Sequence, residues 1–291
     1  MKIIILNKPD KDIAKQISEV ENLCKAHDKT KGNISLDQSL NFYPEMKSLF
    51  LLYEHDKLIS LLSIFMPKAN EAEISAYTLP GYRRKGYFKI LLNKSIEELK
   101  KYGLIDILFV CETLSNDGKE TMKKLDTKLC FTEYFLAHRG RLKDFNNKHV
   151  TGIEIQKADF KDLDTIAALY QQIFDDDYKD AKSMIIKSLE ADNRDQYIAL
   201  FDNKPIGTAA VSFDGDGASI FGLGISPQYQ GKGYGKELLN LILKELELKG
   251  IKKIFIEVDS FNKSALNLYL KSGFEIEFSY DYYRKNIENF L

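Results

Sequence analysis

The sequence predicts an α/β protein that contains two tandem copies of one domain. Its 291 residues exceed the typical size of a single domain, and strand-like and helical patterns alternate along the chain. A repeat gives the clearest evidence: after a shift of 147 positions, residues 78–93 (TLPGYRRKGYFKILLN) overlay on residues 225–240 (ISPQYQGKGYGKELLN) with nine identities. Because solenoid repeats run about 20–50 residues, this period indicates a duplicated domain. We therefore expect an N-terminal domain at 1–142 and a C-terminal domain at 151–291.

The first copy has the patterns of short strands and amphipathic helices. A helix is predicted from Lys11 because Ile13, Ile17 and Val20 recur at helical spacing, and residues 55–57 predict a hairpin turn between two apolar runs. The elements, in order, are strand Met1–Leu6, helix Lys11–Ala26, strands Leu49–Tyr53, Leu58–Phe65 and Ala72–Leu79, helix Leu91–Tyr102, strand Ile105–Cys111, a helical segment Leu114–Leu129 and strand Phe131–Ala137. The polar, unpatterned residues 143–149 predict a linker.

The second copy repeats this order. Its helix from Asp162 places Leu163, Ile166 and Tyr170 on one side, and Gly273 follows a short helix at the usual C-terminal position. The elements are strand Gly152–Gln156, helices Asp162–Phe174 and Ala181–Glu190, strands Gln196–Phe201, Ile206–Phe213 and Ala218–Ile225, a helix after the glycine loop, strand Lys253–Val258, helix Lys263–Lys271, and strands Phe274–Phe278 and Tyr280–Arg284.

A glycine-rich loop between a buried strand and a helix marks the candidate site of the second copy. Glycines allow an anion to approach the backbone, and the free N–H groups of a helix's first turn attract negative charge. The loop lacks the last glycine of the G-x-G-x-x-G dinucleotide motif, and Glu237 follows Gly235-Lys236 where a nucleoside-triphosphate loop needs Ser or Thr. The loop does fit Gln/Arg-x-x-Gly-x-Gly/Ala, through Gln230, Gly233 and Gly235.

This stretch resembles the pyrophosphate-binding motif of the GNAT superfamily of acyl-CoA-dependent N-acyltransferases. The resemblance covers nearly the whole chain twice and implies two GNAT-like domains, each a mixed, mostly antiparallel sheet flanked by helices. It also implies acetyl-CoA, or another short acyl-CoA, as cosubstrate. The residues expected to bind it are Leu223, Gly224 and Ile225 on the strand, Gln230, Gly231, Lys232, Gly233, Tyr234, Gly235 and Lys236 in the loop and helix start, and Asn262.

A second motif of this family, Asn-x-x-Ala-x-x-x-Tyr-x-x-x-Gly-Phe, begins at Asn262. The resemblance implies that Asn262 contacts the cofactor and that Tyr269 protonates the departing thiolate. These two residues are seven apart, about two helical turns, and so face the same side of a helix. If the strands that precede the two motifs part at their C-terminal ends, a thioester fits between them. Gly222 and Gly224 predict a bulge or a close backbone approach there.

The sequence offers several candidates for the general base. An attacking amine must be neutral, yet the strand Ala218–Ile225 carries no carboxylate, although Glu is common there in the family. The candidates are Glu257, Asp214, Asp216 and the cluster Asp175–Asp177, and the aspartates also suit a solvated turn or a helix cap.

The first copy departs from both motifs. Phe88 stands where a small residue is needed, and Ser115 and Met122 stand where the second copy has Asn262 and Tyr269. We expect this copy to have lost its catalytic acid and to support the acceptor site or the active copy. The alternative is that it binds a second acyl-CoA, with Arg83, Arg84 and Lys85 holding the phosphate electrostatically.

Composition excludes several other classes of function. The net charge of −1 and the lack of a basic stripe argue against nucleic acid, and no run approaches the ~18 apolar residues of a membrane span. Three cysteines without a C-x-x-C pair argue against a disulfide framework or a zinc site, so we expect no metal and a cytoplasmic protein.

The sequence thus predicts an N-acetyltransferase whose C-terminal domain is active on a small-molecule or peptide amine. A non-catalytic acyl-CoA-binding sensor or scaffold is the main alternative. A third hypothesis is a relative of the peptidoglycan-bridge aminoacyltransferases, which pair two such domains but use aminoacyl-tRNA; the near-neutral charge and the intact loop disfavour it.

Overall fold

The protein forms two compact units in a computed structural model that describes residues 1–34, 36–140 and 152–290. Unit 1 comprises Met1–Thr132 and the segment that begins at Phe278, and unit 2 comprises Glu133–Glu277. The linker predicted at 143–149 lies outside the described residues.

Unit 1 contains a mixed sheet in the order β1-β2-β3-β4-β5-β12. Its elements are β1 (Lys2–Leu6), α1 (Lys11–Asp28), β2 (Leu49–Glu54), β3 (Lys57–Lys68), β4 (Glu71–Thr78), α2 (Tyr87–Leu99), β5 (Asp106–Glu112), α3 (Asn116–Lys124), the start of β6 (Lys128–His138) and the end of β12 (Phe274–Asn286). The β4–β5 pair is parallel, whereas the neighbouring pairs are antiparallel.

Unit 2 repeats this architecture in the order β7-β8-β9-β10-β11-β6. Its own elements are β7 (Ile153–Lys157), α4 (Leu163–Phe174), α5 (Tyr178–Glu190), β8 (Arg194–Phe201), β9 (Lys204–Asp214), β10 (Gly217–Ile225), α6 (Tyr234–Leu248), β11 (Lys253–Asp259) and α7 (Lys263–Lys271). Here β10–β11 is the parallel pair among antiparallel neighbours. The prediction of a mixed, mostly antiparallel sheet with flanking helices is confirmed.

The last strand of each sequence copy belongs to the sheet of the other copy. The part of β6 from Glu133 pairs with β11 in unit 2, and the part of β12 from Tyr280 pairs with β5 in unit 1. The domain boundaries 1–142 and 151–291 were drawn from the sequence repeat, and they stay a prediction. The two compact units instead divide the chain within these two strands.

The prediction of two terminal strands, Phe274–Phe278 and Tyr280–Arg284, is wrong. One strand, β12, runs from Phe274 to Asn286. No glycine or proline interrupts it, and Ser279 stays extended because its carbonyl oxygen accepts hydrogen bonds from the N–H and hydroxyl of Thr113 at 2.9 and 2.6 Å. The strand therefore continues through the position at which we expected one strand to end and the next to begin.

The core of unit 2 is built on α6. Five of its apolar side chains recur at helical spacing and are fully buried: Leu238, Leu239, Ile242, Leu243 and Leu246. At about 1.5–3 kcal/mol for each buried side chain, this face holds the helix on the sheet and so fixes where the helix begins. In unit 1, α2 packs in the same way through Leu91, Leu92, Ile96 and Leu99.

Candidate active site

Strands β10 and β11 part in the middle of unit 2. Their ladder ends at the pair Ile220↔Ile256, although β10 continues to Ile225 and β11 to Asp259. A bulge in the pairing of β10 with β9 lies between Phe221 and Gly224. The strands thus open a cleft between their C-terminal ends, as the glycines of β10 predicted.

Gly222 is the residue on which this bulge depends. Its φ is +55°, and an added Cβ would lie 1.8 Å from the hydroxyl oxygen of Tyr170 on α4. Neither the backbone conformation nor the space suits a larger residue. Tyr170 is 2% exposed, and its hydroxyl makes no hydrogen bond of normal geometry to a described residue, although the amide of Gln196 lies close enough to influence its pKa.

The glycine loop presents backbone N–H groups at the start of α6. Gly233 is the N-cap, with φ +86°, and no side chain caps the helix. At Gly231, with φ +76°, an added Cβ would meet no atom within 4 Å, so this part of the loop faces open space. Lys236 is exposed in the first turn. An anion fits here because the first N–H groups of a helix have no partner within it.

Gln230 and Asn262 both hold the local structure. The side-chain amide of Gln230 donates to the carbonyl of Ile225 at 2.9 Å and ties the loop to the end of β10. The side chain of Asn262 accepts from the N–H of Ala265 at 3.0 Å and caps α7. Their contacts with a cofactor stay predictions.

Tyr269 lies on α7 with 5% of its side chain exposed, and its ring packs against Phe274 at 6.0 Å. Burial raises the pKa of Tyr269 to about 12, so the phenol is protonated at neutral pH. Its hydroxyl donates no hydrogen bond to a described residue. It is also not one of the fully enclosed polar atoms without a hydrogen-bond partner. The hydroxyl therefore reaches solvent, and it is protonated and able to donate a hydrogen bond.

Glu257 lies on the face of β11 opposite the core, because its neighbours Ile256 and Val258 are buried against α6. The pairing of β11 with β6 sets Asp259 opposite Glu133, so these three carboxylates share one face of the sheet. The side chain of Glu257 is exposed to solvent, and partial loss of hydration beside the neighbouring strands raises the pKa of its carboxyl. The charge of Glu133 raises the pKa further.

In unit 1, β4 and β5 part in the same way after the pair Ile74↔Phe109. The cleft between them encloses about 530 Å³. Its loop has the backbone of the second copy, since Arg84 and Gly86 adopt φ of +62° and +85°. The side chains differ: Phe88 lines the cleft, and Met122, buried in the core, takes the place of Tyr269.

Three features of these clefts are not evident from the sequence. The inward position of Tyr170 follows from helical spacing, but its contact with Gly222 does not. Glu133 is far from Glu257 along the chain, and the pairing of β6 with β11 brings the two residues together. The size of the unit 1 cleft depends on how the strands part, which no local pattern reports.

Both copies of the repeat match the profile of one known protein family. The profile of the Acetyltransferase (GNAT) family matches residues 15–120 and 160–274. The chain belongs to the GNAT acetyltransferase family. Over 85 residues it is 40% identical to the [ribosomal protein bS18]-alanine N-acetyltransferase of Haemophilus influenzae. That match covers 29% of this chain and 58% of the relative, so this chain spans little more than half of the relative's length.

Solved structures of GNAT proteins share the fold over the whole chain. A GCN5-related N-acetyltransferase from Sphaerobacter thermophilus has a TM-score of 0.76 at 14% identity, covering 98% of this chain and 96% of that one. A tandem GNAT protein from the clavulanic acid biosynthesis pathway has a TM-score of 0.71 at 14% identity, covering 98% of each. These likenesses support two tandem GNAT domains. Among the described residues, no helix has the length and apolar character to cross a bilayer.

Proposed function

We propose that this GNAT protein transfers the acetyl group of acetyl-CoA to a primary amine, in the cytoplasm, and that unit 2 carries out the reaction. The observation that carries this proposal is the parted pair β10–β11 beside an open glycine loop, with the unpaired hydroxyl of Tyr269 on the adjacent helix. Unit 1 has the same parted strands but neither the small residue of the loop nor the phenol.

The loop suits the diphosphate of acetyl-CoA. The N–H groups of residues 231–236 would bind its oxygens, and Lys232 and Lys236 would balance its charge. The backbone of Leu223, Gly224 and Ile225, which does not pair with β11, would bind the amides of the pantetheine arm as an added strand does. The N–H of Ile225 is the expected donor to the developing oxyanion.

Tyr269 would act as the general acid. The amine attacks the thioester carbonyl, the carbon–sulfur bond breaks as the tetrahedral intermediate collapses, and the phenol gives its proton to the leaving sulfur. A phenol with a pKa of about 12 keeps its proton until that step. Such assistance typically contributes about 10²–10⁴ in rate.

Glu257 is the base that the geometry favours. An acceptor amine with a pKa near ~10.4 must lose a proton before attack. Glu257 has a raised pKa and water reaches it, so it can accept that proton directly or through water. Among the other candidates, Asp177 caps α5 and Asp216 pairs with Lys253 at 3.1 Å, so both have structural roles.

The acceptor would be a small molecule or peptide with a primary amine. The three carboxylates Glu133, Glu257 and Asp259 on one face of the sheet would attract an ammonium group. The relative from Haemophilus influenzae is named for acetylating an alanine of ribosomal protein bS18, which makes peptides with a free N-terminus the first acceptors to test.

The test measures thiol release from acetyl-CoA with a panel of primary amines and N-terminal peptides. Tyr269→Phe is expected to lower kcat by about 10²–10⁴-fold with little change in acetyl-CoA affinity. Tyr102→Phe is the control, because this tyrosine packs on Tyr43 in unit 1. Equal loss in both variants would refute the role of Tyr269. Tight acetyl-CoA binding without turnover on any amine would instead favour a sensor.

A further inference from the structure

The cleft of unit 1 is large enough for a ligand of its own. Its volume of about 530 Å³ lies within the range of about 300–1,000 Å³ that small-molecule sites typically have. It extends along residues 75–78 of β4 and 110–112 of β5, which do not pair with each other. Extended backbone with unpaired strand edges is suited to a ligand that carries amide groups.

Protein side chains already occupy the anion-binding end of this cleft. Arg83, at the position of Gln230, donates to both carboxylate oxygens of Asp28 at 2.6 and 2.7 Å and to Asp117 at 2.9 Å. Its Nε donates to the carbonyl of Thr78 at 3.0 Å. The hydrogen bond to Asp28 raises the pKa of Arg83, and hydrogen bonds from Arg83 lower the pKa of Asp117. The guanidinium is therefore committed to internal carboxylates.

Phe88 fills the space in which a diphosphate would approach the loop backbone. It stands at the second position of α2, where unit 2 has Gly235, and its ring lines the cleft and packs on the core. Among the described residues that line the cleft, basic and acidic side chains are balanced, four of each: Arg83, Arg84, Lys89 and Lys124, and Asp28, Glu112, Asp117 and Glu120. A polyanion would gain little from such a wall.

The remaining wall is apolar or internally hydrogen-bonded. Tyr82 and Phe109 line it, and the hydroxyl of Tyr77 donates to the carbonyl of Gly32 at 2.7 Å. Glu112 accepts from the N–H groups of Lys31 and Gly32 at 2.7–3.0 Å. These contacts leave the strand edges as the groups available to a ligand.

We propose that the unit 1 cleft binds an uncharged, extended small molecule that carries amide groups between apolar parts and that has no diphosphate. The site is distinct from the one proposed for acetyl transfer. The ion cluster of Arg83, Asp28 and Asp117, together with Phe88, excludes coenzyme A, while the parted strands bind the amides.

Pantetheine and coenzyme A form a matched pair of probes, because pantetheine is the uncharged thiol arm without the nucleotide diphosphate. Binding is measured by calorimetry on Gly235→Phe, which gives unit 2 the residue that unit 1 has. This variant is expected to bind pantetheine at unit 1 more tightly than coenzyme A. The second substitution Ala76→Phe, on the wall of the cleft, is expected to abolish that binding. Wild type is expected to bind a single coenzyme A.

Replacing Asp28 and Asp117 together with asparagine tests the exclusion. Freeing Arg83 is expected to raise coenzyme A affinity at unit 1 by about tenfold, the effect of roughly one charge-assisted hydrogen bond. Two coenzyme A molecules bound to wild type, or a Gly235→Phe variant that binds coenzyme A at least as tightly as pantetheine, would overturn the proposal. Pantetheine binding that Ala76→Phe leaves unchanged, or no saturable binding, would overturn it too. Since these readouts concern binding at unit 1, they do not depend on turnover at unit 2.

Discussion

Among substitutions in unit 2 that add one methyl group, Gly222→Ala is expected to lower the free energy of unfolding most. The residue has φ of +55° at the bulge where β10 leaves β11. A Cβ there would lie 1.8 Å from the hydroxyl oxygen and 2.7 Å from Cζ of Tyr170. The side chain of Tyr170 is 2% exposed, so the ring cannot move without displacing the core around it.

Two terms set the size of the effect. Left-handed backbone costs a residue with a Cβ about 1–2 kcal/mol. Overpacking a buried site costs about 1–3 kcal/mol more. Gly222→Ala is therefore expected to lower the free energy of unfolding by roughly 2–5 kcal/mol. It should also weaken acetyl-CoA binding, since the bulge sets how far the strands part.

A double-mutant cycle separates the two terms. Tyr170→Phe removes the closest atom of the collision, and alone it should change stability by less than about 1 kcal/mol, because its hydroxyl makes no hydrogen bond of normal geometry to a described residue. Added to Gly222→Ala, it should restore part of the loss, but not all, because Cζ remains at 2.7 Å.

The assay is urea denaturation followed by circular dichroism, with acetyl-CoA affinity measured in parallel. Gly215→Ala is the matched control: its φ is also +55°, but an added Cβ there meets no atom within 4 Å. It reports the backbone term alone. The reasoning fails if Gly222→Ala costs no more than Gly215→Ala, or if Tyr170→Phe restores nothing.

Three further predictions concern the base, the cap and the strand exchange. Glu257→Gln should lower kcat by about 10²-fold or more. Glu133→Gln should shift the acid limb of the pH profile of kcat/KM to lower pH, because the loss of the neighbouring negative charge lowers the pKa of Glu257. An unshifted acid limb would exclude this coupling. Asn262→Ala should lower the free energy of unfolding by about 1 kcal/mol through the lost cap, and a proportionally larger loss of acetyl-CoA affinity would reveal a cofactor contact. The fragment 1–142 should fail to unfold cooperatively in circular dichroism, because β5 lacks its partner β12; a sharp transition would contradict the exchange.

Elements with local signals were predicted closely. Helix α7 spans Lys263–Lys271 as expected, because its Asn cap and following glycine both lie next to the helix. The hairpin turn predicted at residues 55–57 was also found, at His55 and Asp56, where φ is positive, while Lys57 already begins β3. The bulge of β10 was visible in its two glycines.

The break expected in β12 shows why other features were missed. The local pattern around Ser279 allows either a turn or an extended strand, and the hydrogen bonds from Thr113, far away in sequence, select the strand. The ion cluster of Arg83 likewise joins the end of α1 to the start of α3. From the sequence, Arg83 was an alternative phosphate ligand; in the structure its charge is balanced internally.

By itself, the sequence determined the duplication, the order of strands and helices, and the backbone of both glycine loops, because these depend on contacts within a few residues or on direct repetition of residues. Tertiary structure alone decided which strand completes each sheet and that Glu133 lies beside Glu257. It also decided that basic and acidic side chains balance each other around the cleft of unit 1. Those features depend on pairing and burial between residues that are distant along the chain, where many arrangements share the same local pattern and only packing selects one.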